Sequence, residues 1–254
     1  MLEPQRYPLI DQVAVVTGAS SGLGRATAQA LAQAGAHIVL IARSTTDLAQ
    51  VAAEIEGLGR RALPLSLDLA DADHSMAAVT RAIEVLGRVD LLVNAAGTDV
   101  SGRVADLPID GWDRVLDVNL RAPFVLAQAV FPHMQHAGRG TIINISSVAG
   151  KRGWANAAAY CASKFGLTGL TQALAAEGKP YGIRVCILYP GGMATHWGRW
   201  SSEERQGGPE EPRSGLKALP PDEVAALIVW IASAPPGLVL NEVIVSPLDE
   251  AGWP

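Results

Sequence analysis

"VAVVTGASSGLGRATAQALAQAG", residues 13–35, runs from a short valine-rich stretch through a glycine-rich turn into alanine-rich sequence with helical spacing. Glycines at 18, 22 and 24 permit the turn, allow main chain to approach an anionic group, and let the following helix lie close to the strand. The first turn of that helix presents unpaired N–H groups that suit phosphate oxygens. Strand, glycine turn and helix in this order form the opening unit of a nucleotide-binding α/β sheet, although a purely structural glycine turn has the same spacing. What lies outward from the turn decides between them.

Six more apolar runs follow: "HIVLIA" (37–42), "ALPLSL" (62–67), "DLLVNA" (90–95), "TIINIS" (141–146), "IRVCIL" (183–188) and "VLNEVIV" (239–245). Their unbroken apolar character predicts strands covered on both faces, as in a parallel sheet. Helical spacing falls between them at Leu23–Ala34, Thr46–Leu58, Ser75–Leu86, Trp112–His136, Ala159–Gly178 and Asp222–Ser233. The alternation implies right-handed crossovers and a Rossmann-type, doubly wound α/β sheet of seven parallel strands with helices on both faces. No linker, charge shift or repeat divides the chain, so residues 1–254 read as a single dinucleotide-binding and catalytic domain. Residues 193–219 are polar and rich in Gly and Pro, and read either as a passive surface loop or as a substrate lid.

Composition excludes several classes. The 254 residues are 49% apolar and 18% charged with a formal charge of −5, which argues against a nucleic-acid binder. "MLEPQRYPLI" at the start lacks the pattern of a signal peptide. The apolar run Ala225–Ala234 is about half the length of a bilayer span, so a cytoplasmic protein without a membrane partner is expected. Cys161 and Cys186 offer neither a metal cluster nor a disulfide framework and read as small core residues.

Cofactor preference is read at the end of the second strand, "IVLIARSTT" (38–46). An NAD-preferring protein commonly has a carboxylate there for the ribose hydroxyls; this chain has Ala42 and then Arg43, whose guanidinium fork matches a 2′-phosphate. NADP(H) is therefore expected, against the alternative of Arg43 on a solvated loop. Ser21 in the glycine turn supplies no second basic group.

Tyr160 and Lys164, in "AAAYCASKFG" (157–166), stand four residues apart and so share one face of a helix. A phenol is a poor base at neutral pH, and an adjacent ammonium would lower its pKa toward working pH. An amphipathic helix whose lysine snorkels to water has the same spacing.

Taken together, "TGASSGLG" (17–24), "NAAG" (94–97), Asn119 in "VNL", Ser147 in "IINISSVAG", "YCASK" (160–164) and "PGGMAT" (190–195) resemble the short-chain dehydrogenase/reductase family. The motifs come in the family's order and span almost the whole chain. The resemblance implies a catalytic set of Asn119, Ser147, Tyr160 and Lys164. Tyr160 would be the acid/base and Ser147 would bond the substrate carbonyl oxygen. Lys164 would hold the nicotinamide ribose, and Asn119 would fix a water in a proton relay. It also implies cofactor contacts at Gly18, Ser20, Ser21, Gly22, Leu23 and Gly24, at Asp68 and Leu69 around the adenine, and at Asn94, Ala95, Ala96 and Gly97. Further contacts would come from Pro190, Gly191 and Thr195, with Thr195 at the carboxamide; Ser146 reads as structural.

The implied activity is hydride transfer between NADP(H) and a carbonyl or secondary alcohol. A 3-oxoacyl thioester reductase and a catalytically idle NADP-binding regulator are the alternatives. The ending "LNEVIVSPLDEAGWP" (240–254) looks more like family members acting on small hydroxy acids or other alcohols than like carrier-bound acyl reductases. Substrate loops are expected at 98–105, 150–157 and from 192 to 219, where Trp154, Trp197 and Trp200 either line the pocket or pack a lid or subunit contact. His196 reads as a surface residue. Family members associate through the helices matching Trp112–His136 and Ala159–Gly178, which implies a homotetramer or homodimer burying Ala122, Ala127, Ala129, Phe165, Leu167 and Leu170. A face buried within the subunit gives the same pattern.

Overall fold

The computed structural model describes residues 8–195 and 218–248. Seven strands form one sheet: β1 Val13–Thr17, β2 His37–Ala42, β3 Ala62–Ser66, β4 Leu91–Asn94, β5 Gly140–Ile145, β6 Ile183–Pro190 and β7 Glu242–Val245. They are parallel throughout and lie in the order β3-β2-β1-β4-β5-β6-β7. The order reverses between β1 and β4, and open α/β sheets bind ligands beyond the strand ends at such a point.

Alternation along the strands builds two cores. Ala14 and Val16 face α1 (Gly22–Gln33), α2 (Thr45–Gly57) and α7 (Pro221–Ser233), where Leu31, Val51 and Ile228 are fully buried. Val13 and Val15 face α3 (Ala72–Leu86), α5 (Ala122–Ala137) and α6 (Ala158–Gly178), with Ala82, Leu126 and Met134 at the centre. Local chemistry sets the helix ends: Ser44 and Asp71 accept from the main-chain N–H three residues on at the starts of α2 and α3. Both cysteines are buried and unpaired.

Three expectations need correction. The edge strands β3 and β7 are not covered on both faces: they lie at the margins of the helix layers, and residues such as Glu242 and Ile244 are exposed. The single helix expected over 112–136 starts earlier and is interrupted: α4 spans Ile109–Leu116, and a π-helical turn at Asp117–Arg121 precedes α5. Pro123 has no N–H to donate to the carbonyl of Asn119 four residues back, so the regular ladder cannot pass this point. Finally, Ala122, Ala127 and Leu167, expected to meet a second subunit, are buried inside this one, whereas Phe124 and Phe165 are exposed. No helix among the described residues is long and apolar enough to cross a membrane.

Candidate active site

The glycine turn is folded as its residues require. Gly18 and Gly22 take left-handed conformations, at φ +67° and +52°. A Cβ on Gly18 would stand 2.9 Å from the Cα of Ala96, and one on Gly24 would stand 2.3 Å from the carbonyl oxygen of Gly18. β1, the start of α1 and the end of β4 therefore meet at van der Waals distance. Thr17 ties them together: its Oγ1 accepts from the N–H groups of Ala95 and Ala96, both at 3.0 Å. Ser21, at the N-cap of α1, makes no side-chain cap, so the first-turn N–H groups have no side-chain acceptor there. This glycine-lined cradle at a helix N-terminus fits the pyrophosphate of a dinucleotide. Ser20 and Ser21 are half-buried on its rim, and Leu23 points into the core.

At the outer end of the cradle, Arg43 is exposed just past β2, and its carbonyl accepts from the Ser66 hydroxyl at 2.8 Å. Arg43 lies near enough to Asp68 for its charge to act there. Asp68 is also engaged by a residue that the sequence reading missed: Arg114 of α4 donates to its two oxygens at 2.9 and 2.8 Å, and the N–H of Ala70 adds 3.0 Å. Partial burial pushes the Asp68 carboxyl up, but the Arg114 hydrogen bonds and the Ala70 N–H outweigh it and hold the group below its ordinary value. Leu69 beside it is buried.

Asn94 turns inward. Its amide donates to Asn144 at 2.8 Å, and Asn144 donates to Thr171 of α6 at 2.9 Å, so a buried polar chain fixes β4, β5 and α6 in register. Ala95, Ala96 and Gly97 continue along the cradle. On the opposite wall Pro190 ends β6, the N–H of Gly191 donates to Val245 at 2.7 Å, and Thr195 comes within 3.5 Å of a Cβ built on Gly22. Met193 and Leu219 form a bridge that closes the base of the segment between them. Trp197, Trp200 and His196 lie outside the described residues, as does most of the expected lid. Trp154 is exposed on the run before α6.

Ser147, Tyr160 and Lys164 come together between β5 and α6. Ser147 caps the short turn Val148–Gly150 by accepting from Ala149 at 3.1 Å, and its hydroxyl is hydrogen-bonded to the Tyr160 phenol. Lys164 does not snorkel: it is buried, and its Nζ donates to the carbonyl of Ile145 at 2.8 Å. Burial pushes the ammonium down to about 8. Its Nζ lies 5.6 Å from the centroid of the Tyr160 ring. The expected lowering of the phenol by this lysine is not the outcome in this arrangement. Burial pushes Tyr160 above its ordinary value, the Ser147 bond opposes that, and the charge of Asp99 adds to it. Ser146 packs under the Lys164 carbonyl, within 2.5 Å of a Cβ built on Gly150, which is a structural place.

Asn119 sits in the π turn with its side chain committed. It exchanges hydrogen bonds with the main chain of Thr98, at 2.8 and 2.9 Å, and donates to Ser163 at 3.0 Å. Both amide hydrogens are thereby used, and neither reaches Lys164. Ser163 in turn donates to the carbonyl of Tyr160 at 2.7 Å, which links the π turn to the Tyr160 helix. Arg114 belongs to no motif and is revealed only by its partner Asp68, while Thr17 and Asn144 lie inside quoted motifs and their hydrogen-bond roles appear only in the fold.

Comparisons with known proteins fit this geometry. A family model described as short chain dehydrogenase matches residues 12–206. The short chain dehydrogenase/reductase astE of Aspergillus oryzae is 38% identical over 237 residues, covering 90% of each chain. Glycine betaine reductase ATRR of Emericella nidulans is 35% identical over 243 residues; the match covers 96% of this chain and spans only 19% of that longer protein. Among solved structures, a metagenomic short-chain oxidoreductase in complex with NADP superimposes with a TM-score of 0.81 at 37% identity, over 94% of this chain and 99% of its own. The family match begins just ahead of β1 and ends beyond β6, taking in the glycine turn and the Ser147, Tyr160 and Lys164 positions, and the chain therefore belongs to the short-chain dehydrogenase/reductase family of oxidoreductases.

Proposed function

We propose that the protein is an NADP(H)-dependent oxidoreductase that interconverts a ketone and a secondary alcohol, with Tyr160 as the acid/base. The observation that carries this reading is the buried ammonium of Lys164 beside a phenol and a hydroxyl at the edge of the crevice. Burying a charge is costly, and an apolar side chain would serve α6 better if packing were the only requirement.

The cofactor, when bound, supplies or accepts the hydride. Gly18, Gly22 and the first turn of α1 would hold its pyrophosphate, Asp68 and Leu69 the adenine, and Arg43 a 2′-phosphate. Lys164 would hold the nicotinamide ribose and Thr195 the carboxamide. Ser147 orients the carbonyl oxygen of the substrate beside Tyr160, and Tyr160 delivers the proton to that oxygen as negative charge grows on it. A proton returns to Tyr160 by way of Lys164 and a water on the main-chain carbonyl of Asn119, which Pro123 leaves without its usual helical donor. Residues 193–219 act as the lid on the substrate. The unit is a homotetramer, supported by exposed apolar residues in two places: Phe124 and Phe165 on α5 and α6, and Trp230 on α7.

The test is oxidation of NADPH and NADH against aliphatic ketones, aromatic ketones, β-keto esters and quinones, with Tyr160→Phe and Arg43→Ala in parallel. Turnover abolished by Tyr160→Phe, and an NADPH preference reduced by Arg43→Ala, are the expected results. A preference unchanged by Arg43→Ala removes the NADP assignment, and turnover that survives Tyr160→Phe removes the mechanism.

A further inference from the structure

The segment that follows β3 is held in place without help from α4. Leu67 donates to the carbonyl of Ala42 at 3.0 Å, Leu69 is buried in the core, and the N–H of Asp71 donates to the carbonyl of Asp68 at 3.1 Å where α3 begins. The same end of β2 receives the glycine turn, through the N–H of Ala19 and the carbonyl of Ile41 at 3.2 Å. Asp68 is thereby fixed across the tip of β2 from the glycine cradle. Its side chain is 46% exposed, and Arg114 reaches it from a separate element, α4.

Ion pairs at a surface contribute little to stability, so holding the fold together is a weak reason for this one. What Arg114 does is fix the carboxylate. A single nitrogen, Nη1, donates to Oδ1 at 2.9 Å and to Oδ2 at 2.8 Å, and the N–H of Ala70 donates to Oδ1 at 3.0 Å. An ionised carboxylate has about four acceptor positions, shared equally by its oxygens. Among the described residues both positions of Oδ1 are taken and Oδ2 has a single donor, so the group is pinned in its plane with an acceptor position left on Oδ2. An acceptor that carries no proton takes the 6-amino group of a purine and repels a 6-carbonyl. Resting on the dinucleotide reading above, which puts the adenine at Asp68, we propose that Arg114 is a positioning residue for base selection: it locks the Asp68 carboxylate so that the free position on Oδ2 meets a 6-amino purine and turns a 6-oxo purine away.

The experiment is fluorescence titration of the wild type and variants with NADPH and with its 6-oxo analogue, deamino-NADPH; NADH and deamino-NADH form the pair if the unphosphorylated cofactor binds more tightly. A site built to pair a polar group discriminates strongly against the analogue lacking it, so the wild type should favour the amino form about tenfold or more in Kd. Arg114→Leu, which leaves Asp68 in place but free to rotate, should cut that preference at least about fivefold. Arg114→Lys, which keeps a charged donor, should restore part of it. Arg114→Gln, shorter and uncharged, serves if Arg114→Leu does not fold. Asp68→Asn should lose the preference too, and adding Arg114→Leu to Asp68→Asn should change the ratio no further, because the arginine acts through the carboxylate. A merely structural arginine weakens both nucleotides equally or lowers Tm alone, and that result overturns the assignment. A wild type without base preference also overturns it, and both results leave dinucleotide binding and the oxidoreductase reading standing. A wild type that binds neither NADPH nor NADH removes that reading and this assignment together.

Discussion

Lys164 is a side chain kept at the expense of stability. Burial pushes its ammonium from 10.5 down to about 8. A difference of that size corresponds to a cost on the order of 3 kcal/mol at neutral pH, offset in part by the bond to Ile145. The lysine is charged in both states below about pH 8. Between about 8 and 10.5 the unfolded chain binds more protons than the folded one, so this group's contribution to stability rises with pH across that window. Lys164→Met should therefore melt no lower than wild type at pH 7 and lose the rise above pH 8, while NADPH affinity and kcat fall at least about tenfold. Thermal melts at pH 7 and 9.5, with fluorescence titration of NADPH, measure both; a variant less stable at pH 7 with unchanged affinity would show that the lysine is structural. The spacing of Tyr160 and Lys164 put them on one helix face but left a snorkelling lysine open, and their roles came from the resemblance to the family. Arg114 was not legible, because an isolated Arg in a polar stretch has no pattern, and only the folded chain sets it against Asp68.

Among the elements, the π turn at Asp117–Arg121 is where a local irregularity and the chemistry coincide. Asn119 uses both amide hydrogens to hold Thr98 and Ser163, and its main-chain carbonyl, which Pro123 leaves without its usual helical donor, is the place proposed for the relay water. Pro123→Ala supplies the absent N–H and lets the helix close regularly over that carbonyl. The expected outcome is a lower kcat with NADPH affinity retained, read by steady-state turnover and cofactor titration; unchanged kcat would remove the relay from the mechanism. Pro123 is visible in the sequence, but the strong helical spacing around it masks the break. In the glycine turn the reverse holds. Gly24→Ala would drive a Cβ to 2.3 Å from the Gly18 carbonyl, and should cost about 1–3 kcal/mol in chemical unfolding together with most of the cofactor affinity. That requirement was readable in advance, because tight main-chain approach tolerates only glycine.

On the scale of the whole molecule, exposed apolar residues lie in two places. Phe124 and Phe165 belong to α5 and α6, and Trp230 to α7 on the other side of the sheet. Two distinct self-complementary faces generate a closed tetramer, and one alone generates a dimer. Phe165→Glu and Trp230→Glu should each halve the mass measured by light scattering, and the double variant should be a monomer. A wild-type monomer would leave these faces to other partners. The sequence pointed to residues on α5 and α6, but Ala122, Ala127 and Leu167 turned out to be core. Apolar spacing reports that a face is covered without reporting what covers it.

The order of strands and helices along the chain, the glycine turn and the shared helix face of Tyr160 and Lys164 follow from the sequence alone, because each rests on short-range chemistry: side-chain alternation, the conformational freedom of glycine, and the pitch of a helix. What only the tertiary structure decided is which distant residues share a surface. The Arg114 pair with Asp68, the committed side chain of Asn119, and the burial that lifts Tyr160 and lowers Lys164 all depend on segments far apart in the chain. Such contacts are set by packing and by exclusion of water, which leave no period in the sequence.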